Sequence, residues 1–287
     1  MKSAYATSGK IFEQVSMYNS PALLDQLRAI PQGDIVVVQG TYDHIEQLLP
    51  TIKVPFELIQ PDEIKKHNGG RVMFVNCRTY GDGNAVEGAA RFVEEGGRLV
   101  TTDWAVSLAT RAFPGKLSKV NETTDDVVEI QCHTDIARRF VGLNYAQCHP
   151  KWWLESSSHI YTIKNGVTPL ITSEEMKEKY GQPYVLVGFG AGKGEVFHFI
   201  SHLELQRTQL RNKQDKAGLE AFLEKMGASK TAEMDDATVA ELEAAYSTLN
   251  TLAHLCSPTP ILNAGMKSAT TLPTTGATAS AKSKRLV

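Results

Sequence analysis

The sequence predicts an α/β fold with a mostly parallel sheet, on three observations. Short apolar runs rich in β-branched residues, DIVVVQG (34–40), VPFELI (54–59), RVMFVNC (71–77) and RLVTT (98–102), alternate with stretches of helical periodicity. These runs are apolar at consecutive positions, as in strands of parallel βαβ units covered on both faces. Late in the chain, YVLVGFGAGKGEVFHFIS places the glycines of 190–194 between two apolar runs, the pattern of a β-hairpin.

The elements between the strands follow from caps and stops. Residues 1–19 read as an N-terminal arm. Ser20 as cap with Pro21 at the first helical position starts a short helix. TYDHIEQLLP reads as a helix that Pro50 ends, and PDEIKKHNGG as a short one stopped by glycine. In AVEGAARFVEEGG (85–97), Val86, Ala89, Phe92 and Val93 share one face before Gly96 and Gly97 end the turn. RLVTT runs directly into WAVSLATRAF, a helix stopped by Pro114 and Gly115. DDVVEIQC (125–132) reads as a strand, TDIARRFVGL as a helix capped by Thr134, and VTPLITS as a further strand. Residues 207–226 place Leu210, Leu219, Leu223 and Met226 at helical spacing, with Gly227 as the stop. Residues 236–255 form a last helix with an apolar stripe of Val239, Leu242, Tyr246, Leu249 and Leu252. Such a stripe either packs on its own domain or serves as a partner-binding or dimerising face. The expected organisation is an arm (1–19), an α/β domain (20–228), a C-terminal amphipathic helix (235–256) and a disordered tail (257–287).

Composition narrows the function classes. The 287 residues are 42% hydrophobic with a formal charge of −2, enough for a sizeable core and without the basic excess of a nucleic-acid binder. The charge is uneven: residues 257–287 carry Lys267, Lys282, Lys284 and Arg285 and no acid, making the tail +4 and the remainder −6. The tail is rich in Ser, Thr, Pro, Ala and Gly and has little apolar surface to offset its ordering entropy. It suits a tether or a docking segment for an acidic surface. No apolar run approaches membrane-span length and the N-terminus lacks a secretion-signal core, so a cytoplasmic protein is expected. Cys77, Cys132, Cys148 and Cys256 form no CxxC pair, arguing against a zinc ribbon or a disulfide scaffold.

In open α/β sheets ligands bind beyond the carboxyl ends of the strands. Four places qualify: Cys77 and Arg78 after the third strand, Asp103 and Trp104 after the fourth, Cys148 and His149 before the tryptophans, and His202-Leu203-Glu204 after the last. A strand followed by the glycine-containing loop NCRTYGDG, a helix ending VEEGG, a strand turning sharply into a helix (LVTTDWAVSLA) and a hairpin ending in HxE together resemble the class I glutamine amidotransferase-like superfamily. The nearer likeness is to its trehalose-utilisation-type and β-galactosidase-middle-domain branches. It covers about residues 34–206 and implies a flavodoxin-like three-layer sandwich.

The resemblance also implies a site. Glutaminase chemistry in that superfamily uses an elbow Cys activated by the His of HxE, whose Glu orients the ring. His202 and Glu204 match the HxE, but Asp103 stands where the Cys belongs, so glutamine hydrolysis is not expected. Asp103 reads either as the N-cap of the following helix or as a functional carboxylate. An Asp-Trp elbow also resembles haloalkane dehalogenases, although Ala105 replaces their glycine. Cys77 falls where the oxyanion loop is usually supplied and otherwise reads as a semi-buried thiol. His198 and His202, at alternate positions, are weak metal candidates with His149, His159 or Asp103 nearby. GFGAGKGE joins two strands and does not open a helix, so it reads as a turn and not a phosphate loop. Trp152 and Trp153 beside Lys151 could stack a sugar or a base, or pack in the core.

The function expected from these residues is a non-catalytic amidotransferase-like binding or scaffold module. Its contacts would be a protein partner or a second copy through 236–255 and the tail, or a small polar ligand at Cys77, Arg78, Trp104, Trp152 and Trp153. The alternative is a hydrolase or metal-dependent enzyme using Asp103, His202 and Glu204. No cofactor, membrane or nucleic acid is expected.

Overall fold

A computed structural model describes residues 1–67, 69–144 and 146–262. In chain order the strands are β1 (Ile35–Val38), β2 (Glu57–Ile59), β3 (Val72–Val75), β4 (Arg98–Thr102), β5 (Leu117–Glu122), β6 (Asp126–Glu129), β7 (Gln131–Cys132), β8 (Lys151–Leu154), β9 (His159–Ile163), β10 (Val167–Thr172), β11 (Tyr184–Ala191) and β12 (Gly194–Phe199). The helices are α1 (Lys2–Asn19), α2 (Pro21–Arg28), α3 (Ile45–Leu48), α4 (Gly83–Glu94), α5 (Val106–Ala112), α6 (Asp135–Val141), α7 (Glu174–Tyr180), α8 (Leu219–Met226) and α9 (Val239–Cys256).

The α/β class holds. The main sheet has the order β2-β1-β3-β4-β12-β11-β10-β7. Its first five strands are parallel, and the late hairpin β11–β12 adds an antiparallel wing with β10 and β7. The order β2-β1-β3-β4 followed by β12 is the flavodoxin-like arrangement, with a topological switch between β1 and β3. β1, β3, β4 and β12 are buried at every residue; β1 and β3 are unbroken apolar runs, as strands covered on both faces require, while β4 and β12 also bury Arg98, Glu195 and His198. Two further antiparallel pairs, β5–β9 and β6–β8, lie outside this sheet.

Several expectations need correction. The N-terminal arm is an 18-residue helix, α1, that packs on α9 through Phe12 and Tyr246. Its Tyr5 hydroxyl donates to the Leu203 carbonyl (3.2 Å) and accepts from the Leu205 amide (2.7 Å), bracing the segment that carries His202. Helix α9 offers no open partner face, because Val239–Cys256 is buried almost all round and not only along its stripe. Polar positions on its other faces are internal: Ser247 accepts from the Trp152 indole, and Asn250 donates to the carbonyls of Arg139 and Phe140 at the end of α6. The 207–226 helix shrinks to α8, since Asp215 is held by the buried Lys151 ammonium (2.8 Å) and by the amides of Arg211 and Asn212. The 125–132 strand splits at Ile130 into β6 and β7, which belong to different sheets.

The tail boundary also moves. Arg98 opens β4 and lies opposite Glu195 of β12, both nearly fully buried. The guanidinium donates to Glu195 and to the carbonyls of Leu255, Ser257 and Thr259, while the other Glu195 oxygen accepts from the amides of Ile261 and Leu262. Residues 257–262 are therefore tied to the amino ends of the strands, opposite the elbow. The rest of the tail, 263–287, with its four cations, lies outside the described residues.

Two buried histidines make stability depend on pH. Burial holds His198 down to about 3, and burial reinforced by Arg139 holds His254 down to about 4. Both are neutral in the folded chain below their unfolded value of about 6.5. The unfolded state then binds more protons, so their contribution is complete above about pH 6.5 and is lost as pH falls toward 4. Urea midpoints should fall between pH 7 and pH 5, and His254→Phe, which keeps the stack on Phe140 without a titrating ring, should show a smaller fall. An equal fall in that variant would exclude His254 as a contributor.

Candidate functional site

The site lies at the carboxyl ends of β3 and β4. β4 ends at Thr102, and Asp103 takes a left-handed backbone (φ 46°) before the chain turns through Trp104 into α5. A non-glycine residue in that region is strained, and a strand-to-helix elbow is where such strain presents a side chain beyond the sheet edge. The N-cap reading of Asp103 is therefore corrected. Thr102 and Ala105 occupy the cap positions without side-chain caps, and the Asp103 carboxylate turns instead toward Cys77 and His202.

Three side chains from separate parts of the sequence converge. The Cys77 thiol donates to Asp103 Oδ2 at 3.3 Å, and His202 Nε2 lies 3.4 Å from the same oxygen. Cys77, Asp103 and His202 are 1%, 2% and 2% exposed. The fourth member is Glu155, after β8, whose Oε2 is 3.0 Å from His202 Nε2. Both carboxylate contacts are ion pairs by distance but lack hydrogen-bond alignment. Asp103 Oδ1, Glu155 Oε2 and both ring nitrogens of His202 are buried without a hydrogen-bond partner among the described residues. The Glu155 amide is fixed by Ser201 Oγ at 2.9 Å, and its side chain, 29% exposed, is the most open of the four.

The electrostatics follow from this crowding. Burial alone would lower the His202 pKa, but Asp43, then Asp103, Cys77 and Glu155, outweigh it and hold the ring as an imidazolium well above its usual range. Burial pushes the Cys77 thiol up to about 11; His202 opposes that and Asp103 adds to it. Asp43, in the loop between β1 and α3, is fully buried and its pKa is raised by burial, with His202 pulling the other way.

The expected residues divide sharply. Asp103 and His202 meet at 3.4 Å, but Glu204 does not complete them. Its pKa is raised by burial and by the nearby Asp43 charge, and the acid beside the ring is Glu155. Cys77 joins the cluster. His198 does not: it is fully buried, its Nδ1–H donates to the Thr101 carbonyl (3.2 Å), and its ring packs on Tyr161. Because β12 ends at Phe199, the strand alternation that would have aligned His198 with His202 stops short. His149 lies beside Glu129 (3.2 Å), away from the cluster. Trp152 and Trp153 are core residues and not a stacking platform, with indoles that donate to Ser247 and Asp125. Trp153 also sets its edge against the His202 ring.

Trp104 and Arg78 remain accessible. Trp104 is half-buried, donates to the Ser157 carbonyl and sits between Tyr42 and His159. Arg78 is exposed and lines a cavity of about 450 Å³ with Gln60, Asp62, Thr79, Tyr80 and Asp82, between the ends of β2 and β3 and the start of α4. Sequence reasoning missed Glu155 and Asp43. Asp43 lies in a segment read as a helix and Glu155 in one read only for its tryptophans; the Ser201 hydroxyl, next to His202 in sequence, fixes the Glu155 amide at the elbow.

The chain matches no protein-family model and no curated protein sequence. Among solved structures it is similar to a glutamine amidotransferase from Methylobacillus flagellatus, at 13% identity over 79% of this chain and 93% of the other, with a TM-score of 0.46. A ThuA-like protein from Bacteroides uniformis is 9% identical over 60% and 83%, with a TM-score of 0.44. A GH42 β-galactosidase from G. stearothermophilus is 12% identical over 59% of this chain, which spans only 27% of the enzyme, with a TM-score of 0.40. No helix among the described residues is long and apolar enough to cross a membrane.

Proposed function

We propose that this chain is a non-catalytic binding module of amidotransferase-like architecture. It takes a small polar ligand in the cleft beside Arg78 and does not hydrolyse glutamine. One observation carries the reading: Asp103 and Glu155 approach the same nitrogen of a buried His202. A hydrolytic relay sets the nucleophile on one ring nitrogen and the orienting acid on the other, leaving the ring free to accept a proton. Here Nδ1 has no hydrogen-bond partner among the described residues and Nε2 faces two carboxylates. A histidine held as imidazolium cannot act as a base. The cluster therefore works as a charge clamp that closes the elbow, while the polar cavity lined by Arg78 stays open beyond the carboxyl ends of β2 and β3, the edge of an α/β sheet that takes ligands. The cationic tail remains the proposed contact for an acidic protein surface.

The left-handed backbone of Asp103 favours a second reading, a hydrolase or metal-dependent enzyme with Asp103 and His202 in its centre. One experiment tests the claim that the chain does not hydrolyse glutamine. With L-glutamine as substrate, ammonia release should stay at the uncatalysed rate for the native chain and for Asp103→Ala alike. Release by the native chain that disappears in Asp103→Ala would overturn the non-catalytic reading.

A further inference from the structure

The geometry points to a divalent transition-metal site, suited to zinc, formed by Cys77, Asp103 and His202 with Glu155 as the fourth ligand. It assigns the four side chains of the clamp a metal-bound state in which the ion takes the place of the imidazolium charge, and does not depend on what the Arg78 cleft takes.

The first support is the donor set. One thiol, one imidazole and carboxylate oxygens are the ligands zinc accepts, and Cys77, Asp103 and His202 offer one ligand atom each within 4.8 Å of one another. The second is their spacing. Bonds of 2.0–2.3 Å in a tetrahedron set neighbouring ligand atoms about 3.3–3.8 Å apart. The Cys77 Sγ to Asp103 Oδ2 distance is 3.3 Å and the His202 Nε2 to Asp103 Oδ2 distance is 3.4 Å. Glu155 Oε2, at 3.0 Å from Nε2, needs only a small outward movement.

The third support is independent of the cluster's composition. His202 is 2% exposed, and its Nε2 is aimed between two carboxylates without a properly aligned hydrogen bond to either. Buried polar atoms are nearly always satisfied, and those that are not call for an explanation such as an ion. A metal satisfies Nε2 and Glu155 Oε2 together. Binding releases the Cys77 thiol proton and the Nε2 proton, leaving thiolate, neutral imidazole and two carboxylates around the cation. The Glu155 side chain, the most exposed of the four, gives the entry path. Four protein ligands leave no open position, so the site is structural, in keeping with a closed elbow.

The test is cobalt(II) titration of the full chain, read by absorbance. The expected result is one equivalent bound, a thiolate-to-cobalt charge-transfer band in the near ultraviolet, and its loss on adding zinc. Cys148→Ser should keep the band, Cys77→Ser should abolish it while circular dichroism stays native, and Glu155→Gln should weaken binding roughly tenfold or more. No band in the native chain at excess cobalt, or a band that survives in Cys77→Ser, would overturn the site. Should Cys77→Ser fail to fold, Glu155→Gln decides, and unchanged affinity in that variant overturns the four-ligand site. The readout uses resting protein without glutamine, so it succeeds or fails separately from the ammonia assay.

Discussion

Arg98→Ala is expected to be among the most destabilising single substitutions in this chain, costing about 3–5 kcal/mol. The reason is the position of the guanidinium. It is 6% exposed and donates to the equally buried Glu195 and to three carbonyls of the 255–259 stretch. Truncation leaves Glu195 without its cation and those carbonyls without their donor, and a buried charge stripped of its partner costs far more than an exposed ion pair contributes. The damage should be local as well as global. Residues 257–262 should become the first site of limited proteolysis in Arg98→Ala and stay resistant in the native chain. Pairing Arg98→Met with Glu195→Leu should recover part of the loss, because no unpaired charge remains. A loss below about 1 kcal/mol in urea denaturation would mean that the segment is held by something else.

His202→Leu should be of similar size, about 3–5 kcal/mol, for a different reason. The imidazolium stands among Asp43, Asp103 and Glu155, and removing it leaves these carboxylates crowded in a buried space with no cation. Adding Asp103→Leu to that variant should cost less than the two single losses together, since one of the stranded charges goes with it. Additive losses would show that Asp103 and His202 are not coupled, and the clamp would fail as an account of the elbow. Native-like stability in His202→Leu would have the same consequence.

The parts of the fold legible in the sequence are those that one local pattern decides. β4 begins and ends where RLVTT does, and the glycine turn at 190–194 marks the hairpin, because strand composition and turn chemistry agree there. What was not legible depends on distant partners. Nothing local announces that Lys151 is buried against Asp215, a pairing that turns half of an apparent helix into a loop. The stripe on α9 was visible, but its polar faces look exposed until α1, α6 and β8 are known to cover them. The candidate site divides in the same way. Asp103 and His202 follow from the rule that chemistry gathers at strand ends. Cys77 stands at the neighbouring strand end, whereas Glu155 follows β8, a strand outside the main sheet, with no spacing to reveal it.

The elbow is closed, and the reactivity of the Cys77 thiol reports on that closure. The native chain would be treated with iodoacetamide in the presence of a chelator and each cysteine followed by mass spectrometry, with the half-buried Cys132 as internal reference. Cys77, 1% exposed and held as a thiol donating to Asp103, should be modified at least 100-fold more slowly than in urea-unfolded chain, on the order of what burial and suppressed thiolate impose. Modification of native Cys77 as fast as in the unfolded chain would show an open crevice with a reactive thiol at its base, and would rule out a closed elbow.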